Sequence, residues 1–222
     1  MQATENPKIA RLLAGVPVVP VLTVEDGDEA VELARSLARN GLPVLEFTLR
    51  TASALAAMRR ISVAVPEAIV GAGTVRNPEQ AMAAIGAGAR FLVAPGVTPR
   101  LVEAAERWPV PFLPGVATAS EAMALGDLGY RFLKFFPAET SGGAPALAAL
   151  AAPLPDLSFC PTGGIDAAKA PSYLALANVI AVGGSWVAPS KLVAAREFDA
   201  IGSLARAAAA LRGGAASPKL PS

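Results

Sequence analysis

Eight short runs of apolar, β-branched and aromatic residues recur along the chain, and their spacing is what most limits its fold. They are Val16–Val21, Val44–Leu49, Ala68–Gly71, Phe91–Ala94, Pro111–Leu113, Arg131–Phe135, Leu157–Cys160 and Val179–Val182. Successive runs start roughly 20–28 residues apart, the length of one strand plus one helix. Alanine-rich amphipathic stretches fill the intervals: Asp26–Asn40, Ala52–Val65, Pro78–Ala87, Pro99–Arg107, Ser120–Leu128, Pro145–Ala151, Asp166–Ala177 and Glu197–Leu211. Several end before a glycine (Gly41, Gly88, Gly129), and Ser120 stands where an N-cap belongs. Strand-like and helix-like segments in alternation imply parallel βαβ units and an α/β fold. Eight of each in 222 residues predict one domain over residues 1–222, a single (β/α)8 TIM barrel. Asn6–Ala14 reads as an extra helix within the N-terminal segment 1–15, and Gly213–Ser222 as a flexible tail. The competing architecture is an open doubly wound sheet. It calls for a G-x-G-x-x-G turn after the first strand, where Val21–Gly27 reads VLTVEDG.

Composition removes whole classes of chemistry. The chain has no histidine and one cysteine, Cys160. That excludes Ser-His-Asp and Cys-His catalysis, histidine-bound metals, internal disulfides and cysteine-cluster zinc. A formal net charge of +1 argues against nucleic-acid or anionic-membrane partners. Leu12–Val24 is apolar behind Lys8 and Arg11, but Pro17 and Pro20 interrupt it. Ala170–Ser190 is uncharged, yet holds Pro171, Asn178 and the Gly183-Gly184 pair. The expectation is a soluble, cytoplasmic enzyme that needs no metal and no cofactor. Carboxylate, amine, guanidinium, hydroxyl and backbone groups must then do the work.

Barrel enzymes place their chemistry at the C-terminal ends of the strands. In the sixth run, alternation puts Phe132, Lys134 and Phe136 on one face. Lys134 is the only lysine inside an apolar strand. Burial favours its neutral amine, which attacks a ketone to form a Schiff base. A lysine paired within the core is the competing explanation. In the second run, Val44, Glu46, Thr48 and Arg50 share a face. Runs two and six are both even-numbered, and alternate barrel strands supply one interior layer. Glu46 and Lys134 are therefore expected to meet, with the carboxylate as proton shuttle. Arg50 near the mouth suits a carboxylate.

Three glycine-containing turns follow later strands. Gly71-Ala72-Gly73-Thr74 follows the third, where Thr74 can bind a substrate oxygen or simply close a turn. Thr162-Gly163-Gly164-Ile165-Asp166 follows the seventh and Gly183-Gly184-Ser185 the eighth. Glycine pairs commonly make turns. After strands seven and eight of a barrel, they also match its usual phosphate site, where backbone N–H groups and a following helix N-terminus hold the anion.

Five motifs taken in order give a more specific indication. Glu46-Phe47-Thr48-Leu49-Arg50-Thr51, Gly71-Ala72-Gly73-Thr74, Lys134 with Phe135-Phe136-Pro137-Ala138, Cys160-Pro161-Thr162-Gly163-Gly164-Ile165 and Gly183-Gly184-Ser185-Trp186 closely resemble the bacterial 2-keto-3-deoxy-6-phosphogluconate (KDPG) aldolases, from about Val16 to Leu211. The resemblance implies a (β/α)8 barrel, usually homotrimeric, with metal-free Schiff-base chemistry. It implies cleavage of KDPG to pyruvate and glyceraldehyde 3-phosphate, and in many members of 4-hydroxy-2-oxoglutarate to pyruvate and glyoxylate. By the same resemblance Lys134 is the Schiff-base lysine and Glu46 the acid/base. Arg50, Thr74 and Thr162 hold the pyruvate end, and Gly163, Gly164, Gly184 and Ser185 the phosphate. The phosphorylated 2-keto acid is the expected partner. The alternatives are a phosphogalactonate-type aldolase, a phosphate-binding barrel isomerase without covalent chemistry, and a non-catalytic phosphosugar-binding protein.

Overall fold

The computed structural model describes residues 6–25 and 27–212. The proposed tail, Gly213–Ser222, and residues 1–5 of the N-terminal segment lie outside them. The elements run α1 (Asn6–Leu13), β1 (Val18–Leu22), α2 (Gly27–Arg39), β2 (Val44–Thr48), α3 (Ala54–Ala64), β3 (Ile69–Gly73), α4 (Pro78–Gly86), β4 (Phe91–Val93), α5 (Pro99–Ala105), β5 (Phe112–Leu113), β6 (Gly115–Val116), α6 (Ala119–Asp127), β7 (Phe132–Phe135), α7 (Gly143–Leu150), β8 (Ser158–Pro161), α8 (Ala170–Leu174), β9 (Val182–Gly184), α9 (Ser190–Ala194) and α10 (Phe198–Ala209).

Every strand pairing is parallel, as βαβ connections require. One sheet has the order β5-β4-β3-β2-β1-β9 and a second the order β6-β7-β8. Only Pro114 separates β5 from β6, so the fifth predicted strand is broken into two. Proline has no N–H to give a ladder, and the pairing passes from β4 on one side of it to β7 on the other. Isolated bridges, Phe159 to Val179 and Thr162 to Gly183, join β8 and the residue after it to β9 and the segment before it. Val182–Gly184 pairs with β1, and Gly183 keeps its bridge to Thr162 on the other side. The eighth strand therefore lies about three residues later than its apolar run.

Side-chain alternation sorts the core into two clusters. Leu45 and Phe47 of β2, Leu133 and Phe135 of β7 and Phe159 of β8 face the helices in the larger one. Val44, Phe132 and Cys160, on the other faces of the same strands, join a smaller cluster with Ile9, Ala10 and Leu13 of α1. The period of two thus puts Glu46 and Lys134 on the face of the smaller cluster. Helix starts follow local chemistry. Asn77, Thr98 and Thr118 each accept a hydrogen bond from the first turn of α4, α5 and α6. At α6, Glu121 reaches back to the Thr118 N–H and completes a capping box.

Candidate active site

Lys134 sits in the middle of β7 and Glu46 in the middle of β2. Lys134 Nζ donates to Glu46 Oε1 at 3.0 Å, across 88 residues of sequence. The two side chains are only 6% and 4% exposed. Such a pair stabilises a fold weakly, because desolvation of both charges offsets most of their attraction. A shielded amine beside a carboxylate is, however, a nucleophile with a proton acceptor already in place. The Phe136 ring centroid lies 5.4 Å from Nζ. Gly73 closes the other flank, since a Cβ there would overlap the Glu46 carboxylate.

The remaining predicted residues stand at the same C-terminal ends of the strands. Thr162 directly follows β8 and is buried. Its N–H donates to the Phe135 carbonyl at 2.9 Å, and Ala138 N–H donates to its carbonyl at 2.8 Å. Thr74 follows β3 with φ of 59°, a left-handed backbone uncommon for a β-branched residue. Arg50 follows β2 and is exposed. It lines a cavity of about 810 Å³ with Ser185, Glu25, Glu29 and Lys191. Lys134, Glu46 and Thr162 are not among the residues lining that cavity. Gly184 ends β9 and is buried, whereas Ser185 is exposed.

Gly163 and Gly164 have φ of 107° and 78°, conformations open chiefly to glycine. No helix N-terminus follows them directly. The helix expected from Asp166 begins only at Ala170. Asp166 Oδ1 instead accepts from the N–H groups of Ala168 and Lys169, both at 3.0 Å, and holds a turn. Any anion held here depends on backbone N–H groups and not on a helix dipole. α9 starts at Ser190 after Pro189, ahead of the expected helix Glu197–Leu211.

Three polar residues escaped the sequence reading. Glu139, just after β7, accepts a hydrogen bond from the Tyr173 hydroxyl and pairs with Lys169 Nζ at 2.9 Å. The Tyr173 bond, then that of Lys169, holds the Glu139 carboxyl below its usual pKa. Glu139 in turn raises Lys169. Burial, then the bond to Glu139, raises Tyr173. The available signal was the position of Glu139 directly after the Phe135–Ala138 motif. Its partners lie about 30 residues further on, so spacing alone could not join them. Among the described residues no group of three or more His, Cys, Asp and Glu is placed to hold a metal ion, and no helix is long and apolar enough to cross a membrane.

The chain is similar to known proteins over most of its length. The family model for KDPG and KHG aldolase matches residues 9–204. The KHG/KDPG aldolase of Escherichia coli (strain K12) is 48% identical over 197 residues, covering 89% of this chain and 92% of that protein. The 2-dehydro-3-deoxy-phosphogluconate aldolase of Dickeya dadantii is 46% identical, covering 90% and 94%. Among solved structures, the KDPG aldolase of Legionella pneumophila, with pyruvate captured at low pH as a covalent carbinolamine, aligns with a TM-score of 0.88 at 39% identity. It covers 92% of this chain and 98% of its own. The chain belongs to the KDPG and KHG aldolase family.

Proposed function

We propose that this protein is a class I aldolase that cleaves KDPG to pyruvate and glyceraldehyde 3-phosphate, and also accepts 4-hydroxy-2-oxoglutarate. The observation that carries this reading is the buried contact of 3.0 Å between Lys134 Nζ and Glu46 Oε1. Glu46 takes a proton from Lys134, and the free amine adds to the C2 ketone. Glu46 returns a proton as the carbinolamine loses water and becomes an iminium ion. The carboxylate then removes the C4 hydroxyl proton. The C3–C4 bond breaks, its electron pair moves into the iminium, and the aldehyde leaves. Protonation of the enamine at C3 and hydrolysis of the imine release pyruvate and restore Lys134.

Arg50, Thr74 and Thr162 hold the pyruvate carboxylate and carbonyl in this reading. Gly163, Gly164, Gly184 and Ser185 hold the phosphate. Support comes from their shared place at the strands' C-terminal ends and from the positive φ of the glycine pair. We also infer that both sheets belong to one closed eight-strand barrel of a single domain, with α1 an extra helix at its N-terminal end. The single-residue break at Pro114, the two bridges to the β9 segment and the contact of α1 with the smaller cluster support this. The chain is proposed to work in the cytoplasm as a homotrimer without membrane or nucleic-acid partners. Exposed Val63, Met82, Met123 and Leu128 provide apolar surface for assembly. Light scattering should then give three times the chain mass of 22.4 kDa.

The decisive experiment is borohydride reduction in the presence of pyruvate, followed by intact mass and a peptide map. A reduced pyruvate adduct on Lys134 is expected. A folded protein that gives no adduct at saturating pyruvate would sink the Schiff-base reading.

A further inference from the structure

Three consecutive carbonyls of the β8–α8 loop have protein partners. Ala138 N–H donates to Thr162 O at 2.8 Å and Glu139 N–H to Gly163 O at 3.1 Å. Lys169 Nζ donates to Gly164 O at 2.9 Å. In a trans planar peptide the N–H points opposite to the C=O. Capturing the carbonyls of residues 162–164 therefore turns the N–H groups of Gly163, Gly164 and Ile165 to the other side of the loop. The Gly163 N–H faces the Gly183 carbonyl across the Thr162–Gly183 bridge, and those of Gly164 and Ile165 donate to no partner among the described residues. Consecutive free N–H groups in such a turn form an anion-binding concavity.

The first two carbonyls are held by backbone, but the third depends on one flexible side chain. Lys169 is 45% exposed and would wander if it were alone. It is fixed at its base by the Asp166 turn and at its tip by Glu139 Oε2, 2.9 Å away. Glu139 is itself anchored by the hydroxyl of Tyr173, whose ring is buried. The Glu139 stem also packs on the loop, since a Cβ at Gly164 would lie 2.8 Å from Glu139 Cγ.

We propose that Lys169, held by Glu139 and Tyr173, is a positioning residue that sets the Gly164–Ile165 peptide for phosphate binding and so determines preference for the phosphorylated substrate. This rests on the phosphate site proposed above. Lys169 touches no reacting atom in this assignment. It aligns donors that a substrate without phosphate does not use.

The test compares KDPG with 4-hydroxy-2-oxoglutarate as substrates, with inorganic phosphate as a competitor of the first. Lys169→Gln should raise KM for KDPG and the inhibition constant of phosphate together, by about five- to tenfold. Its kcat and KM for 4-hydroxy-2-oxoglutarate should stay within about twofold of wild type. Tyr173→Phe loosens the clamp without changing charge, and should raise KM for KDPG in the same direction by about two- to threefold. Equal losses on both substrates would reduce Lys169 to a structural role and overturn the proposal. So would an effect of Lys169→Gln that vanishes at high salt while Tyr173→Phe is silent, which is the mark of charge attraction alone. A wild type that prefers KDPG while both variants match it sinks the clamp only. A wild type indifferent to the phosphate group sinks the phosphate site and the clamp together.

Discussion

Two lysine–glutamate pairs in this molecule have nearly the same length and opposite surroundings. Lys134 and Glu46 meet at 3.0 Å with 6% and 4% of their side chains exposed, whereas Lys169 and Glu139 meet at 2.9 Å with 45% and 29% exposed. Water screens the outer pair, and each of its charges keeps part of its hydration. What the outer pair contributes is geometry, because its hydrogen bonds fix a loop. The inner pair has given up its water. Removing one member there strands the other in apolar surroundings, among them the Phe136 ring. Distance therefore does not separate a reactive pair from a positioning pair. Burial and rigid strand placement do.

The largest effect should come from the inner pair. Lys134→Met deletes the nucleophile while filling its volume, so turnover and the borohydride adduct should both disappear. Cleavage within tenfold of wild type would remove Lys134 from the chemistry. The same variant leaves the Glu46 carboxylate unpaired and should lose about 3–5 kcal/mol in urea unfolding. Adding Glu46→Leu should recover most of that loss without restoring activity. A double variant as unstable as the single would mean that the pair holds the fold rather than serving the reaction. Glu46→Gln keeps shape and hydrogen bonding but accepts no proton, and should lower kcat by about 10²–10⁴-fold. An unchanged kcat would assign the shuttle to another group. Gly73→Ala comes next. Its Cβ overlaps the Glu46 carboxylate and should displace it, at a cost of about 10²-fold in kcat. Wild-type kinetics in that variant would show that the carboxylate's placement is not critical.

The same contrast explains what the sequence reveals. Glu46 and Lys134 are legible because a strand's alternation is rigid. Two polar residues on inward faces of strands two and six can be paired before any coordinates exist. The parallel α/β order is legible for a similar reason, since each strand-plus-helix unit has a narrow length. The break at Pro114 was visible as a proline, but that the pairing would change partners there depends on the neighbouring strands β4 and β7. The late start of α8 turns on a local competition. Asp166 bonds the next backbone N–H groups and Pro171 limits the residue before it. Helical periodicity over Asp166–Ala177 does not register that contest. Lys169 is the least legible of all. It looks like any solvated lysine, and its contact with Gly164 O depends on a turn behind it and on Glu139 in front.

The smallest effect should appear at the hydroxyl that anchors the outer pair. Tyr173→Phe removes one donor to a partly exposed carboxylate and keeps the buried ring. It should cost about 1 kcal/mol, or about 2–4 °C in Tm, with kcat for 4-hydroxy-2-oxoglutarate unchanged. The loss should also depend on pH in a defined way. The Glu139 carboxyl is held below its usual range, first by Tyr173 and then by Lys169. The stability linked to it is thus present above the carboxyl's unfolded pKa and fades as pH falls through the lower folded value. Tyr173 is raised, by burial and then by Glu139. Its contribution is present below the ordinary tyrosine range and fades as pH climbs through the raised value. The Tm gap between wild type and Tyr173→Phe should therefore be widest near neutral pH and narrow at both extremes. A gap that stays constant down into strong acid would mean that the Tyr173 hydroxyl acts independently of the Glu139 charge, and that Lys169 holds Glu139 without its help.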